Sequence, residues 1–337
     1  VTDPTAVYEN EDTVPDPILL TGVRRPWWRR WGRRLTVTVL VLFVAVTIAS
    51  FSYNAATAGT VPPPSGLRYV QAGDVHTRYR EWGSTGSPIV LVPGAAETAD
   101  TWSRLAPLLA RDHRVYAYDA SGFGYSQPRA PFTAAHQAEQ LIGLVNALHL
   151  SKPILVGHSL GAAIVAEATL RQPTMPGGVL FLDGDALVFH PPAVVSHLII
   201  DPYRTSVFRL GLRSDWVIRA IYSRQCAPGC PALDEAGVDQ WRRPFQQPGA
   251  EAALWSMMRA GMAGVSETRL SQLRAVPVPK AVVFGGADLS TFTKDSPYQT
   301  AQRIGAPPPT IIPGAHHLTM ISSPTAVATA IQSLTKH

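Results

Sequence analysis

Short apolar runs alternate with longer amphipathic stretches along most of the chain. The runs are PIVLVPG (88–94), RVYAYDA (114–120), PILVGHS (153–159), GVLFLDGD (178–185), KAVVFGGAD (280–288) and TIIPGAH (310–316). Helix-like patterns fall between several of them, at 99–110, 133–148, 160–171, 297–304 and 325–334. Strands that are apolar throughout, with helices interposed, predict a mostly parallel sheet covered on both faces. Ahead of these runs, LRYVQAGD and VHTRYREWG read as two strands joined at a Gly-Asp turn.

Two segments break this rhythm. From Leu35 to Leu67 there is no charged residue, and within that gap 35–53 is a nineteen-residue apolar run. As a helix it would measure about 28 Å, close to the hydrocarbon thickness of a bilayer. A strand is rarely that long. The second break is the stretch 186–275, ninety residues between the run ending at Asp185 and the one beginning near Val278. An insertion at the C-terminal end of a strand is placed to roof a ligand site. It carries Trp216, Trp241, Trp255, Met257, Met258 and Met262, most of which are expected to pack the insertion's own small core.

Charge sharpens the first of these readings. All six Arg of residues 1–34 lie between Arg24 and Arg34, against the edge of the apolar run. Such a cluster could bind nucleic acid, but next to a membrane segment it acts as an orientation signal that keeps 1–34 cytoplasmic and places the remainder outside. Trp27, Trp28 and Trp31 suit the interfacial belt. Ala56-Thr57-Ala58 has the form of a signal-peptidase site, so release after Ala58 is the alternative to a retained anchor. Residues 54–66 (NAATAGTVPPPSG) read as an extended spacer. The 46% apolar content excludes a disordered chain, and the net charge of +5 is modest. Cys226 and Cys230 are the only cysteines. With no His nearby and no second pair they argue against zinc, and outside the cytoplasm they predict a small disulfide loop.

The sharpest chemical signal is Gly157-His158-Ser159-Leu160-Gly161, a G-x-S-x-G run after an apolar strand and before an Ala-rich helix. Composition alone produces such a pentapeptide on the order of once in ten chains of this length; the strand-turn-helix context makes chance far less frequent. The turn lifts the serine hydroxyl off the sheet edge, and the glycines keep Cβ atoms out of crowded places. A serine hydroxyl needs a base to take its proton, and the base needs a carboxylate to orient it. In this architecture both follow the serine in the chain. The downstream histidines are His190, His197, His316, His317 and His337.

From about Leu67 onward the sequence resembles the α/β-hydrolase superfamily, in particular its cap-bearing esterase-like members. Their His-Gly after the third strand is matched by Pro93-Gly94, with Trp102 eight residues beyond. Asp119, Gly122, Gly124 and Ser126 match their Asp-x-x-Gly-x-Gly-x-Ser, and Gly285-Gly286-Ala287-Asp288 their Gly-x-x-Asp. His317 stands seven residues before Pro324, as their histidine does, with His316 in the place of a usual Gly. Pro93 departs from the pattern at the support of the oxyanion loop.

The resemblance implies an α/β-hydrolase domain over 67–337 with a helical cap at 186–275, preceded by one transmembrane helix. It assigns Ser159, His317 and Asp288 as nucleophile, base and acid. Asp183 and Asp185 are alternative acids, and His316 the alternative base. Asp119 is expected to bond backbone in the loop that follows it, and His158 to pack beneath the elbow. The amides of Ala95 and Leu160 would form the oxyanion hole, and Gly94, His158 and Trp102 would line the substrate site. The expected reaction is hydrolysis of a carboxylic ester, with a hydrophobic small molecule or lipid as substrate and neither metal nor organic cofactor. Carbon–carbon bond hydrolysis, perhydrolysis and a tethered non-catalytic binding role are the alternatives. The rate should rise as a histidine loses its proton, near pH ~6.5.

Overall fold

The computed structural model describes residues 27–190, 200–226, 229–288 and 295–336. His197, His337 and most of the expected cytoplasmic tail lie outside them. Each apolar run forms one strand: β1 (Arg68–Ala72), β2 (Val75–Trp82), β3 (Pro88–Val92), β4 (Arg114–Tyr118), β5 (Ile154–His158), β6 (Gly178–Leu182), β7 (Lys280–Gly285) and β8 (Thr310–Ile312). They build one eight-stranded sheet in the order β1-β2-β4-β3-β5-β6-β7-β8. The pairs β1–β2 and β2–β4 are antiparallel and all others parallel. Continuous apolar strands are buried on both faces: Val90 and Val92 of β3 enter one core cluster, Ile89 and Leu91 the other.

The helices supply the two covering layers. α1 (Trp27–Ala56) precedes the sheet. The predicted helix at 99–110 is instead a 3-10 turn, Ala99–Trp102, followed by the short α2 (Ala106–Leu109). A capping box at Thr98 starts the first piece, and Pro107, which lacks an N–H, stands in the first turn of the second. α3 (Ala134–Ala147) and α4 (Leu160–Arg171) pack on one face of the sheet, where Leu141, Leu144 and Ile164 are fully buried. Leu105 and Leu109 cover the other face.

After β6 the chain enters the insertion as α5 (Tyr203–Arg213), α6 (Asp215–Gln225), α7 (Glu235–Arg242), α8 (Ala250–Ala260) and α9 (Glu267–Ser271). Bridges between Leu187 and Val265 and between Phe189 and Met262 close its neck. Its aromatic and methionine residues part ways. Met257 and Met262 join the main core cluster, whereas Trp216 is 75% exposed. Cys226 and Cys230 are bonded to each other. The fold closes with α10 (Pro297–Ile304), α11 (Thr319–Ser322) and α12 (Pro324–Ser333), the last contributing Val327 and Ile331 to the second cluster.

The contacts divide the chain into two units, Val1–Ala49 and Ser50–His337. α1 carries no buried residue and, among the described residues, is the one helix long and apolar enough to cross a membrane. In the second, the segment expected to be a free spacer is hydrogen-bonded to the insertion. The Val61 amide donates to Gln246 O and Gln247 Nε2 donates to Val61 O. Arg209 Nη1 donates to Asn54 O, a carbonyl in the last turn of α1 that has no acceptor role left inside the helix.

Candidate active site

The strand order places the site. From β3 the chain moves to β4 on one side, and from β5 to β6 on the other. The crevice at such a switch point lies outside the C-terminal ends of the two central strands, here at Gly94 and Ser159. Val92 of β3 is in register with Gly157 of β5, which sets the two loops side by side.

Ser159 holds φ 50° and ψ −118°, a conformation costly for any residue with a side chain. The packing enforces it. A Cβ on Gly157 would stand 2.4 Å from Gly161 O, and one on Gly161 would stand 2.5 Å from Val92 O. The Ser159 amide donates to Leu182 O at 2.9 Å, which ties the elbow to β6. Leu160 opens α4, so its amide has no partner within the helix and faces the positive end of the helix dipole. Across the crevice, a Cβ on Gly94 would lie 3.0 Å from Ser159 Cβ; this close approach needs a glycine.

His317 Nδ1 is 2.9 Å from Asp288 Oδ2, and both side chains are almost fully buried. Asp288 closes a turn after β7, its amide donating to Gly285 O while Ala287 donates to Ala315 O. His316 points the other way, Nδ1 lying 3.0 Å from Arg224 O at the end of α6. The alternative acids have different partners. Asp183 Oδ1 accepts from the Gly285 amide at 2.7 Å and Oδ2 from the Thr319 hydroxyl. Burial pushes its pKa up to about 7. Asp185 accepts from the Leu187 and Asp295 amides at the entrance of the insertion. Asp119 does bond backbone, accepting from the Ala99 and Tyr125 amides at 2.7 Å.

Two expected substrate contacts have to be corrected. His158 and Trp102 expose no surface, so neither lines the crevice; Trp102 sits in the second core cluster with its ring edge-on to His158. Both support the site from below. His158 Nε2 donates to His317 O at 2.8 Å, and Nδ1 lies 2.8 Å from Glu97 Oε1. Glu97 Oε2 accepts from the Gly94 amide at 2.8 Å. Oxygen atoms thus lie against both ring nitrogens. Burial opposes a charged imidazole, but the Glu97 carboxylate outweighs it and keeps the His158 pKa above its ordinary value.

Glu97 was not singled out in the sequence. The signal was Pro93, since a loop without its usual histidine needs another support, and Glu97 follows Gly94 by three residues. Thr319 was also missed, for want of any local pattern around it.

The sequence pattern of the alpha/beta hydrolase family matches residues 89–330. The chain belongs to that family. A curated relative of this alpha/beta hydrolase is the 2-hydroxy-6-oxo-6-(2'-aminophenyl)hexa-2,4-dienoic acid hydrolase of Metapseudomonas resinovorans, 28% identical over 280 residues, which covers 79% of this chain and 89% of the relative. Among solved structures, a serine hydrolase involved in carbazole degradation superposes with a TM-score of 0.64 at 24% identity, covering 80% of this chain and 98% of its own. A membrane phospholipase A, described as a bacterial virulence factor, gives 0.63 at 20% identity over 90% of this chain and 98% of its own. At these identities the superpositions establish the fold.

Proposed function

We propose that this alpha/beta hydrolase is a membrane-anchored serine hydrolase that cleaves a hydrophobic carboxylic ester through an acyl-enzyme. The observations that carry the reading are the buried His317–Asp288 pair, the strained elbow at Ser159, and the bond from His158 of that elbow to His317 O. His317 takes the Ser159 proton, the serine oxygen attacks the ester carbonyl, and the oxyanion rests on the Ala95 and Leu160 amides. His317 then gives the proton to the leaving alcohol. Water repeats the steps to free the acid and restore Ser159. Asp288 holds the His317 ring in place and balances its charge during each transfer. The domain layout is an anchor at 35–53 and a catalytic domain at 67–337 capped by 186–275, with the catalytic domain outside the cytoplasm.

Ser159→Ala should abolish both p-nitrophenyl ester hydrolysis and fluorophosphonate labelling. Labelling that persists in this variant overturns the assignment. Carbon–carbon hydrolysis is the second reading. It is favoured by the Metapseudomonas relative, whose named substrate is an oxo-dienoic acid with no ester. The same nucleophile and base serve it, so a panel of acyl esters against oxo-dienoic acids separates the two. Turnover confined to the oxo-dienoic acids would overturn the ester reading while leaving the triad intact.

A further inference from the structure

Beyond α1, six large apolar side chains are exposed among the described residues, and five of them fall within 200–221 of the cap. They are Ile200, Val207, Leu210, Trp216 and Ile221, between 56% and 75% exposed. Clustering of this kind on two consecutive helices is not the scattered exposure of a solvated surface. The first of them, α5, holds the chain where it leaves the apolar run. Ser206 Oγ donates to Asn54 Oδ1 at 2.9 Å, Asn54 Nδ2 donates to Pro202 O at 2.8 Å, and the Arg213 guanidinium lies over the Tyr53 ring. Residues 54–57 follow the apolar run directly, so in a spanning chain they stand at the headgroup level, and α5 is bonded to Asn54.

A cavity of about 780 Å³ opens at the same place, between residues 56–61 and the cap helices α5 and α8. Arg204, Arg209, Arg213 and Arg259 line it against Asp201 and Glu251, which leaves it positively charged. Arg213 and Arg259 are exposed there, with no carboxylate partner among the described residues. Apolar side chains next to arginines, at the height where a membrane segment ends, match the boundary between acyl chains and anionic headgroups.

We infer that the 200–221 face of the cap seats in the anionic surface of the bilayer that α1 spans, with its apolar side chains among the acyl chains and Arg213 and Arg259 on lipid phosphates. The inference rests on the reading of α1 as an anchor. It has a consequence for the site, because α6 runs from this face to the base loop. Arg224 O meets His316 Nδ1, and Gln225 O accepts from the Leu318 amide at 3.0 Å. A seated cap thus holds, through α6, the loop that carries His317.

The test uses the full chain, one copy per nanodisc of phosphatidylglycerol and phosphatidylcholine. An NBD fluorophore is placed at Val207→Cys, Leu210→Cys or Ile221→Cys, with Val41→Cys and Ser151→Cys as references; the native cysteines are bonded to each other and do not react. Ser151 is exposed at the opposite end of β5 from Ser159. Labels at 207, 210 and 221 should shift to the blue and be quenched by doxyl-lipid severalfold more than the label at 151, which iodide alone should quench. Replacing both Arg213 and Arg259 by Gln should weaken the doxyl quenching in phosphatidylglycerol discs. Iodide reaching the cap labels while Val41 is shielded overturns the docking and leaves the anchor standing. Iodide reaching Val41 overturns both. A blue shift that needs two copies per disc assigns the face to self-association and overturns the lipid assignment.

Discussion

The C-terminal edge of the sheet and the outer face of the cap use the same residue types in opposite ways. At the sheet edge, Trp102 is fully buried and Glu97, His158, Asp183 and His317 bond one another's loops with almost no solvent contact. On the cap, Trp216 is 75% exposed, and Arg213, over the Tyr53 ring, and Arg259 are exposed, while Arg204 and Arg209 pair with Asp201 and Glu251. The edge fixes geometry by bonding Glu97, His158 and Asp183 to the backbone of neighbouring loops, because a buried polar group left unpaired is costly. The cap face leaves its surface for an external medium to satisfy. By our proposals, chemistry sits on the first and location on the second.

Substitutions can break this contrast, beginning with the strongest. Asp288→Asn should lower kcat on the order of 10³–10⁴-fold with little change in KM, because the His317 ring loses its orienting carboxylate; steady-state kinetics on a chromogenic ester check it. Trp102→Ala should cost about 3–5 kcal/mol of stability through the cavity it leaves, whereas Trp216→Ser should stay within about 0.5 kcal/mol. Chemical denaturation of both variants measures the difference between the two regions.

Glu97→Gln should lower activity by about tenfold, equivalent to about 1.4 kcal/mol of barrier, with a specific pH signature. The folded His158 pKa lies above its unfolded value, so the stabilisation from the Glu97–His158 pair is fully present below the unfolded value and is lost as pH rises through the folded one. Removing the Glu97 charge lowers the folded value, and the alkaline fall in kcat/KM and in Tm should move to lower pH. An unchanged alkaline limb would leave Glu97 only a structural part.

A further pH-dependent effect is expected at Asp183. Its folded pKa of about 7 exceeds the unfolded value near 3.8, so the folded state binds more protons and stability declines as pH rises between these values. Asp183→Asn, which keeps an oxygen for the Gly285 amide, should flatten that decline. Tm measured from pH 4 to 8 gives the slope directly.

The same contrast governs what was legible beforehand. The elbow at Gly157–Gly161 could be read because its geometry is local: two glycines, a strand before and a helix after. The eight strands were legible for the same reason, since periodicity and apolar runs report nearest neighbours. The choice among Asp183, Asp185 and Asp288 was not, as all three follow strands. Only the pairing of β6 with β7 and of β7 with β8 sends Asp288 to His317 and Asp183 to Gly285 and Thr319. The attachment of residues 54–61 to the cap was likewise hidden, because Asn54 and Pro202 are 148 positions apart.

The order of residues along the chain determined the strands, the elbow with its strained serine, the long apolar helix and the pair of cysteines able to close a loop. These follow from spacing, side-chain volume and the backbone freedom of glycine. Tertiary packing alone decided which carboxylate meets which imidazole, that Glu97 and His158 replace the missing histidine under Gly94, and which side of the cap is left uncovered. Contacts between residues a hundred positions apart depend on strand order and loop path, and no local pattern encodes them.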